Sequence, residues 1–320
     1  VATTFTNKAA EEIRERVTKD SFGRASRSQA MGAVAIGTVN SVCGRLLGKF
    51  AFEAGLSPRL RVIEVDEAER LLTQVMEKSV SGKDREALLR IEERFGYQGE
   101  TQNAWMRTAL EITAMARSNG IGPEPLREMG KKNAAELLSI FPAALVDPDK
   151  DLEAALAAAI PGMEKAQGAD ALKNSAAYLE KCREMLRALG RDRYSWKQWA
   201  ELARGGYGKN IKAPGEAVAE VAQRYLAHPR LRGDIEGYLR LCFSAAADSL
   251  EAFARAKREA GLIDFVDQEC LLNSTLDKPQ VKERIREELG LLVVDEFQDT
   301  SPIQLAVFLK LAGLAGRCVW

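Results

Sequence analysis

Hydrophobic and polar positions at the start of the chain follow two different periods. The opening run, residues 1–7, is rich in β-branched side chains and is typical of the end of a strand that enters a turn. In residues 8–19, apolar side chains recur four apart with charged residues between them, which is the pattern of an amphipathic helix. The chain therefore begins with a predicted strand followed by a helix, which Thr6 or Asn7 can cap.

The same alternation of strand and helix patterns then repeats. Residues 33–39 form a second short apolar run, and residues 60–65 form a third. Between them lies a segment whose apolar residues fall on one helical face and which Asn40 or Ser41 can cap. Strand, helix, strand, helix and strand in this order predict an α/β fold with a parallel sheet.

Beyond these strands the pattern changes to long segments rich in Ala, Leu, Glu and Arg, separated by Pro and Gly. The predicted helices are 66–80, 83–96, 101–118, 132–140, 150–166, 169–190, 195–204, 215–227 and 231–258. The strand pattern returns only at Leu291–Val294, which is followed by a predicted helix over 302–315. We therefore predict that residues 1–65 and 259–320 form one α/β domain and that residues 66–258 form an all-helical insertion. By residue count the chain is mostly α.

The composition narrows the class of protein. With 46% hydrophobic and 29% charged residues, it is that of an ordinary soluble globular protein. No run approaches the roughly 18 apolar residues of a membrane span, so we predict no membrane partner. The five cysteines are scattered and form no CxxC pair, which favours free thiols in the cytoplasm.

The distribution of charge and the histidine content narrow the class of protein further. Lys plus Arg equal Asp plus Glu at 46 each, but residues 1–62 hold ten basic and five acidic residues, a modest excess that is compatible with nucleic acid. The single histidine, His228, precedes a proline in a predicted turn. A Ser-His-Asp or Cys-His hydrolase would depend on this one residue, which we assign to the surface or the core.

A candidate metal site follows the apolar run Leu291–Val294. Such a run is typical of a central parallel strand, and α/β folds bind ligands at the carboxyl ends of these strands. Asp295 and Glu296 stand at that point. In nucleotide hydrolysis one carboxylate there holds Mg²⁺, usually through water, and a second polarises the attacking water; Asp295 would take the first role and Glu296 the second. The alternative is an acidic turn after a buried strand.

Four segments resemble motifs of the UvrD/Rep-type superfamily 1 DNA helicases, in the order that the family has them. Asp295–Thr300 fill the DExQD-T pattern of motif II, and Thr3–Val17 resembles motif Ia. Ile36–Leu47 resembles motif Ib, and Gly261–Leu272 resembles the DFDD-type segment that precedes motif II. The resemblance implies a partial RecA-like motor domain, called 1A in the family, into which the helical 1B domain is inserted.

The same resemblance assigns roles to residues. It implies that Glu296, Asp295 and Gln298 are catalytic, with Mg²⁺ held by Asp295 through water and by Glu296. Two positions depart from the family pattern: Asn40 stands where motif Ib usually has histidine, and Val266 takes the third place of the DFDD pattern. The long insertion resembles the helicase-nuclease subunits of the AddA and RecB kind.

A phosphate-binding loop of the form G-x-x-x-x-G-K-[ST] does not occur in the sequence. The nearest stretch, Gly205–Lys212, has Asn210 after its Gly-Lys pair and follows no predicted strand. In the family this loop precedes motif Ia, and a second motor domain follows motif II. We therefore expect a part of a longer helicase that uses ATP and Mg²⁺, with the phosphate loop before Val1 and the second domain after Trp320. The 320 residues alone should be inactive.

Motifs Ia and Ib line the single-strand DNA track in the family, and this assigns DNA contacts to seven residues. They are Thr4, Phe5, Thr6, Asn7, Lys8, Thr38 and Asn40. Hydroxyl groups, a helix N-terminus and a lysine suit phosphates, and an aromatic ring can stack on a base. Without the family, Phe5 would be assigned to the core.

A second candidate DNA segment is residues 191–212, in which basic and aromatic side chains are interleaved. Its candidate contacts to duplex DNA, all predicted to be exposed, are Arg191, Arg193, Lys209 and Lys212. Trp196 and Trp199 lie three apart on a predicted helix, and for them we favour a place in the helical core.

Three hypotheses for function follow. The first is an ATP-dependent 3′-to-5′ DNA helicase motor or helicase-nuclease subunit that acts on single-stranded and duplex DNA, with a nuclease domain or a separate nuclease chain as a partner. Its polarity and substrate come from the resemblance alone. The second is a non-catalytic DNA-binding or interaction protein that kept the scaffold without an ATP site. The third is an unrelated carboxylate-dependent metal enzyme, in which Asp264 and Asp267 would join Asp295 and Glu296.

Overall fold

The chain divides into two units. The computed structural model describes residues 1–20, 35–57, 60–97, 99, 103–169 and 173–320. The sheet unit consists of Val1–Glu77, Thr113–Gly122 and Ser249–Trp320, and the helical unit consists of Lys78–Ile112 and Pro123–Asp248. The domain boundaries placed after residues 65 and 258 from the sequence stay predictions.

The sheet unit holds a small parallel sheet. The strands are β1 (Ala2–Thr4), β2 (Ile36–Thr38), β3 (Arg61–Val62), β4 (Leu262–Ile263), β5 (Leu291–Val294) and β6 (Arg317–Val319). Within the described ranges, β2, β1, β5 and β6 pair in that order with all strands parallel, and β3 pairs with β4 in a separate two-stranded ribbon. The fold class is therefore α/β, as predicted.

Helices account for most of the chain, also as predicted. In chain order they are α1 (Asn7–Asp20), α2 (Val39–Lys49), α3 (Val65–Ser79), α4 (Gly82–Phe95), α5 (Ala104–Ser118), α6 (Pro123–Ser139), α7 (Pro148–Ala169), α8 (Lys173–Leu189), α9 (Trp196–Ala203), α10 (Lys212–Ala222), α11 (Pro229–Glu259), α12 (Phe265–Thr275), α13 (Pro279–Glu288) and α14 (Pro302–Ala312). Residues 33–34, 101–102 and 170–172 of predicted elements lie outside the described residues. In the described part of the chain, no helix has both the length and the apolar run needed to cross a membrane.

The core of the sheet unit holds β5 in place. Leu292 and Val294 are 0% and 2% exposed and pack with residues of α2, α12, α13 and α14, among them Phe308, and with Phe50 at the C-cap of α2. Fully burying side chains of this size contributes about 1.5–3 kcal/mol each relative to leaving them exposed. The predicted central strand is therefore firmly packed up to the point where the carboxylates begin.

The strand predicted over 60–65 is shorter than expected. Only Arg61 and Val62 pair with β4, and helix α3 already begins at Val65. Asp66 and Glu67 lie in the first turn of α3, where negative charge interacts favourably with the helix dipole. Strand β4, with which β3 pairs, is also only two residues long. Two residues are too few to show the alternation of a strand in the sequence.

The sequence pattern predicts no helix over α12 and α13, and among the helices that it does predict, proline explains the largest shift of a start. α6 begins at Pro123, nine residues before the predicted start, and it contains Pro125 in its first turn. Proline is tolerated in the first turn because the N–H that it lacks has no intrahelical partner there. The helix predicted over 215–227 is instead α10, which ends at Ala222 and is followed by a 3₁₀ turn over Gln223–Ala227.

The core of the helical unit is built around aromatic side chains. Trp196 and Trp199 are 4% and 0% exposed, and they pack with Tyr194 and with apolar residues of α7, α8 and α10. The assignment of both tryptophans to the core is confirmed. This packing places the basic side chains of the surrounding segment on the surface of the unit.

Candidate functional site

Three segments with predicted functional residues meet at one edge of the sheet. β1, β2 and β5 run parallel, and the register pairs Thr4 with Thr38 and Thr3 with Val294. The carboxyl ends of the three strands therefore share an edge, which is where α/β folds bind ligands. The residues that follow them are Phe5–Asn7, Val39–Asn40 and Asp295–Glu296.

The carboxylates lie in a loop with an unusual backbone. The Asp295 N–H donates to the Thr3 carbonyl oxygen at 2.9 Å, so the loop starts at a fixed point. Glu296 has φ 54° and ψ 43°, a left-handed conformation that costs a non-glycine residue about 1–2 kcal/mol. Both side chains are exposed, and the Gln298 side-chain N–H donates to the Glu296 carboxylate. Strain of this kind gathers at functional sites, which makes the loop a candidate active site.

The far end of the carboxylate loop is anchored by packing and by a helix cap. Phe297 begins a 3₁₀ turn and packs against the core of the sheet unit. The centroid of its ring lies 4.9 Å from that of the Trp320 ring. The Thr300 hydroxyl donates to the Phe297 carbonyl at 2.7 Å. Ser301 and Gln304 then form a capping box at the start of α14. The loop is therefore short and held at both ends.

The loop carries three exposed carboxylates, Asp295, Glu296 and Asp299. Among the described residues, no group of three or more His, Cys, Asp or Glu side chains is placed to hold a metal ion. The carboxylates of Asp295 and Glu296 nevertheless offer the oxygen ligands that Mg²⁺ prefers, and Mg²⁺ usually keeps several waters and binds substrate phosphates as well. The residues present therefore fit a water-bridged Mg²⁺, with the phosphate-binding groups supplied from elsewhere.

Asp264 and Asp267 are not further ligands of such a metal. The Arg117 guanidinium donates to both oxygens of Asp264 at 2.6 and 2.7 Å, and the Lys257 ammonium lies 2.8 Å from Asp264 and also binds Asp267. Burial alone would raise the pKa of Asp264, but the Arg117 and Lys257 charges outweigh it and hold this pKa below its usual value. The carboxylates also form the capping box of α12. The hypothesis that they join a metal centre is wrong.

The candidate DNA residues after β1 differ in exposure. Thr4 is 1% exposed, and Phe5 is half-buried against the core. Thr6, Asn7 and Lys8 are exposed at the N-terminus of α1, and the Thr6 hydroxyl oxygen accepts the Ala9 N–H at 3.1 Å. Of the two predicted caps, Thr6 is therefore the one that forms the bond.

Helix α2, which follows β2, has an N-cap residue that was not predicted from the sequence. The hydroxyl oxygen of Thr38, and not Asn40 or Ser41, caps α2 by accepting the Ser41 N–H at 3.3 Å. Thr38 occupies an extended conformation, which is the ordinary geometry of an N-cap, whereas Asn40 already lies inside the helix. The Asn40 side chain is half-buried and needs no role in the cap.

The basic segment of the helical unit has the predicted exposure. Arg191, Arg193, Lys209 and Lys212 are all exposed. Arg193 lines a cleft of about 690 Å³ together with Arg90, Arg94 and Lys197, while Glu93, Asp192 and Glu201 line it with opposite charge. The cleft is thus polar with a small basic excess.

His228 belongs to the core of the helical unit. It is 2% exposed, and its Nε2 lies 3.2 Å from both the Tyr194 hydroxyl and an Asp149 oxygen. Its Nδ1 accepts the Arg230 N–H at 3.0 Å, which makes Nε2 the protonated nitrogen of the neutral ring. Burial lowers the pKa of His228, so the neutral form is the one that the fold stabilises. Of the two predicted places for His228, the surface and the core, the structure shows the core.

Sequence reasoning missed one side-chain contact next to the carboxylate loop. The Gln304 side-chain N–H donates to an oxygen of Glu269 at 2.7 Å, and Glu269 is 4% exposed on α12. Gln304 lies four residues beyond the motif II pattern Asp295–Thr300, and this proximity was its only signal in the sequence. A buried glutamate on a neighbouring helix cannot be paired with it from a single sequence.

Comparison with known proteins agrees with the motifs. A family model described as the UvrD/REP helicase N-terminal domain matches residues 1–317. An ATP-dependent helicase/nuclease subunit from Streptococcus pneumoniae (strain CGSP14) is 23% identical over 94% of this chain and 29% of that protein. The "Exonuclease/helicase subunit RexA" of S. pneumoniae serotype 4 is 22% identical over the same shares. "DNA helicase II" of Escherichia coli (strain K12) is 41% identical over 21% of this chain and 9% of that protein. The chain thus spans 29% of the length of the first of these relatives.

Proposed function

Because the chain belongs to the UvrD/REP helicase N-terminal domain family, with residues 1–317 matched, we propose that it forms part of an ATP-driven 3′-to-5′ DNA helicase motor. The observation that carries the proposal is the shared sheet edge, where the carboxylates after β5 lie beside the turns after β1 and β2. In this proposal residues 1–65 and 259–320 belong to motor domain 1A, and residues 66–258 are its 1B insertion.

We assign the chemistry of hydrolysis to three side chains of the loop. Asp295 would hold Mg²⁺ through water, and the ion would offset the negative charge of the nucleotide phosphates. Glu296 accepts a proton from the attacking water, and Gln298 holds the Glu296 carboxylate through its amide N–H. The sequence contains no phosphate-binding loop, so these residues depend on phosphate contacts from outside the 320 residues. We therefore propose that the chain alone does not hydrolyse ATP.

We assign single-stranded DNA to the turns after β1 and β2. Phe5 presents part of a ring for base stacking, and Thr6, Asn7 and Lys8 are exposed where phosphates can reach them. Thr38 and Asn40 would extend this track at the start of α2, and the buried Thr4 would support it from the sheet.

Duplex DNA is the ligand that we propose for the basic segment of the helical unit. The exposed Arg191, Arg193, Lys209 and Lys212 would contact its phosphates, a mode of binding that weakens steeply with salt.

The relatives' names add a proposed partner and setting. Two of them are called helicase/nuclease or exonuclease/helicase subunits, and we propose that the motor containing this chain works with a nuclease domain or a separate nuclease chain. All five cysteines are free thiols, which suits the reducing cytoplasm where we place the motor.

The test of the proposed function is Glu296→Gln in the full-length protein that contains this chain. The variant should lose ATP hydrolysis because glutamine cannot take the proton of the attacking water, and single-strand DNA affinity should change little. Turnover near that of the wild type would refute the role of Glu296. A wild-type protein that binds DNA but hydrolyses no ATP would instead favour the non-catalytic DNA-binding hypothesis.

A further inference from the structure

Helix α12 lies between the two helices that start at the candidate site. It packs against α2, which begins directly after β2, and against α14, which begins directly after the carboxylate loop. On the α2 side the approach is close: a Cβ at Gly44 would lie 3.3 Å from the Gln268 amide oxygen. An alanine at position 44 would therefore require the Gln268 side chain to move by a few tenths of an ångström.

On the α14 side, one amide makes the connection. The Gln304 side-chain oxygen accepts the Ser301 N–H at 3.0 Å, and its side-chain nitrogen donates to Glu269 at 2.7 Å. Gln304 thus joins the cap residue of α14 to the buried carboxyl group of α12. Among the described residues, Gln304 is the side chain whose hydrogen bond satisfies that buried carboxyl group.

Because Glu269 is buried, its hydrogen bond with Gln304 stabilises a carboxyl group that is otherwise removed from water. Burial raises the pKa of Glu269, and the hydrogen bond from Gln304 opposes the rise by stabilising the ionised form. A buried carboxyl group without a partner is costly, so the structure favours arrangements in which Gln304 stays on Glu269. The first turn of α14 is thereby held in one place.

We propose that Glu269 and Gln304 are positioning residues for nucleotide hydrolysis: their hydrogen bond fixes the start of α14 and, through it, the loop that carries Asp295 and Glu296. The loop is only five residues long between Asp295 and the cap residue Ser301, so a shift of the cap is transmitted to it. Because α12 also packs against α2, the contact links the hydrolysis loop to the turn assigned to DNA. The inference rests on the proposed function.

The experiment uses Glu269→Leu, Gln304→Leu and the double variant in the full-length protein. Glu269→Gln is the conservative variant, because glutamine there still accepts the Gln304 N–H. Gln74→Leu makes the same chemical change at an exposed position of α3 and serves as the matched control. The two measurements are amide hydrogen exchange over residues 291–304 without nucleotide, and steady-state ATP hydrolysis with single-stranded DNA.

We call the hydrogen bond between Gln304 and Glu269 the bridge. Amide hydrogen exchange over residues 291–304 should be faster than in the wild type in Glu269→Leu, Gln304→Leu and the double variant. Their kcat should fall about tenfold or more, because misplacing a catalytic group by about 1 Å has effects of this size. The KM for ATP should stay within about twofold, since ground-state binding is not removed. The double variant should be no slower than the slower single variant, and Glu269→Gln and Gln74→Leu should match the wild type.

Wild-type exchange over residues 291–304 in Glu269→Leu, Gln304→Leu and the double variant would overturn the proposal, whatever their rate of ATP hydrolysis. An equal loss of kcat in Glu269→Gln would also overturn it, because the bridge survives in that variant. If Glu269→Leu does not fold, the half-buried Gln304 carries the test through Gln304→Leu. A wild-type protein without ATP hydrolysis would refute the proposed function, and the exchange data would still decide whether the bridge holds the loop.

Discussion

Replacing Asp264 tests whether this carboxylate is a structural centre of the sheet unit. It is 4% exposed and accepts hydrogen bonds from Arg117, from Lys257 and from the Asp267 backbone N–H at 3.0 Å. Lys257 is itself 4% exposed, so removing Asp264 leaves a buried ammonium with Asp267 alone. Breaking a buried pair by removing one partner costs about 3–5 kcal/mol, and we expect a loss of this size for Asp264→Ala.

Asp264→Asn separates the charge from the helix cap. Asparagine is as good an N-cap as aspartate, so this variant keeps the capping bond and loses only the ion pairs. It should therefore be more stable than Asp264→Ala and less stable than the wild type. Because the pKa of Asp264 is held below its unfolded value, its charge contributes fully at pH 7, and the difference from wild type should shrink below about pH 4.

The assay is urea unfolding of the chain at pH 7 and at acid pH, followed by circular dichroism. Amide exchange over residues 262–276 would assign the loss to α12 and its surroundings. The control is Glu67→Ala, which removes an exposed bidentate pair with Arg61 and should leave the midpoint almost unchanged. An Asp264→Ala variant with the urea midpoint and slope of the wild type would refute the account of a buried ion network.

Two further predictions concern aromatic residues. Trp199→Ala should destabilise the helical unit by about 3–5 kcal/mol, whereas Trp199→Phe should cost much less because the indole N–H has no acceptor among the described residues. Urea unfolding compares the two variants, and equal losses would contradict the packing explanation. Phe5→Ala in the full-length protein should weaken single-strand DNA binding by about 1–3 kcal/mol if Phe5 stacks on a base. A folded Phe5→Ala variant with unchanged DNA affinity would show that Phe5 does not contact DNA and only packs in the core.

The sequence by itself determined the features that depend on local patterns. The apolar run Leu291–Val294 correctly predicts a strand, but four successive apolar residues suit burial on both faces, whereas Leu292 and Val294 are buried, Val293 is half-buried and Leu291 is 46% exposed. The spacing of Trp196 and Trp199 places both rings on one side of a helix and hence in the core. The motifs identified the family, and the exposure predicted for four basic residues of the segment 191–212 is confirmed: Arg191, Arg193, Lys209 and Lys212.

Only the tertiary structure decided which distant residues meet. The pairing of β3 with β4, the salt bridge of Asp264 to Arg117, and the contact of Glu269 with Gln304 join positions far apart in the chain, and the salt bridge of Asp264 to Lys257 joins the N-cap of α12 to the preceding helix α11. No local period encodes such contacts, because each depends on how whole helices pack around the sheet. The roles of Asp264 and Asp267 show this most clearly: two carboxylates that were candidate metal ligands in the sequence form ion pairs with the buried Lys257 and the partly buried Arg117, which lie on two other helices.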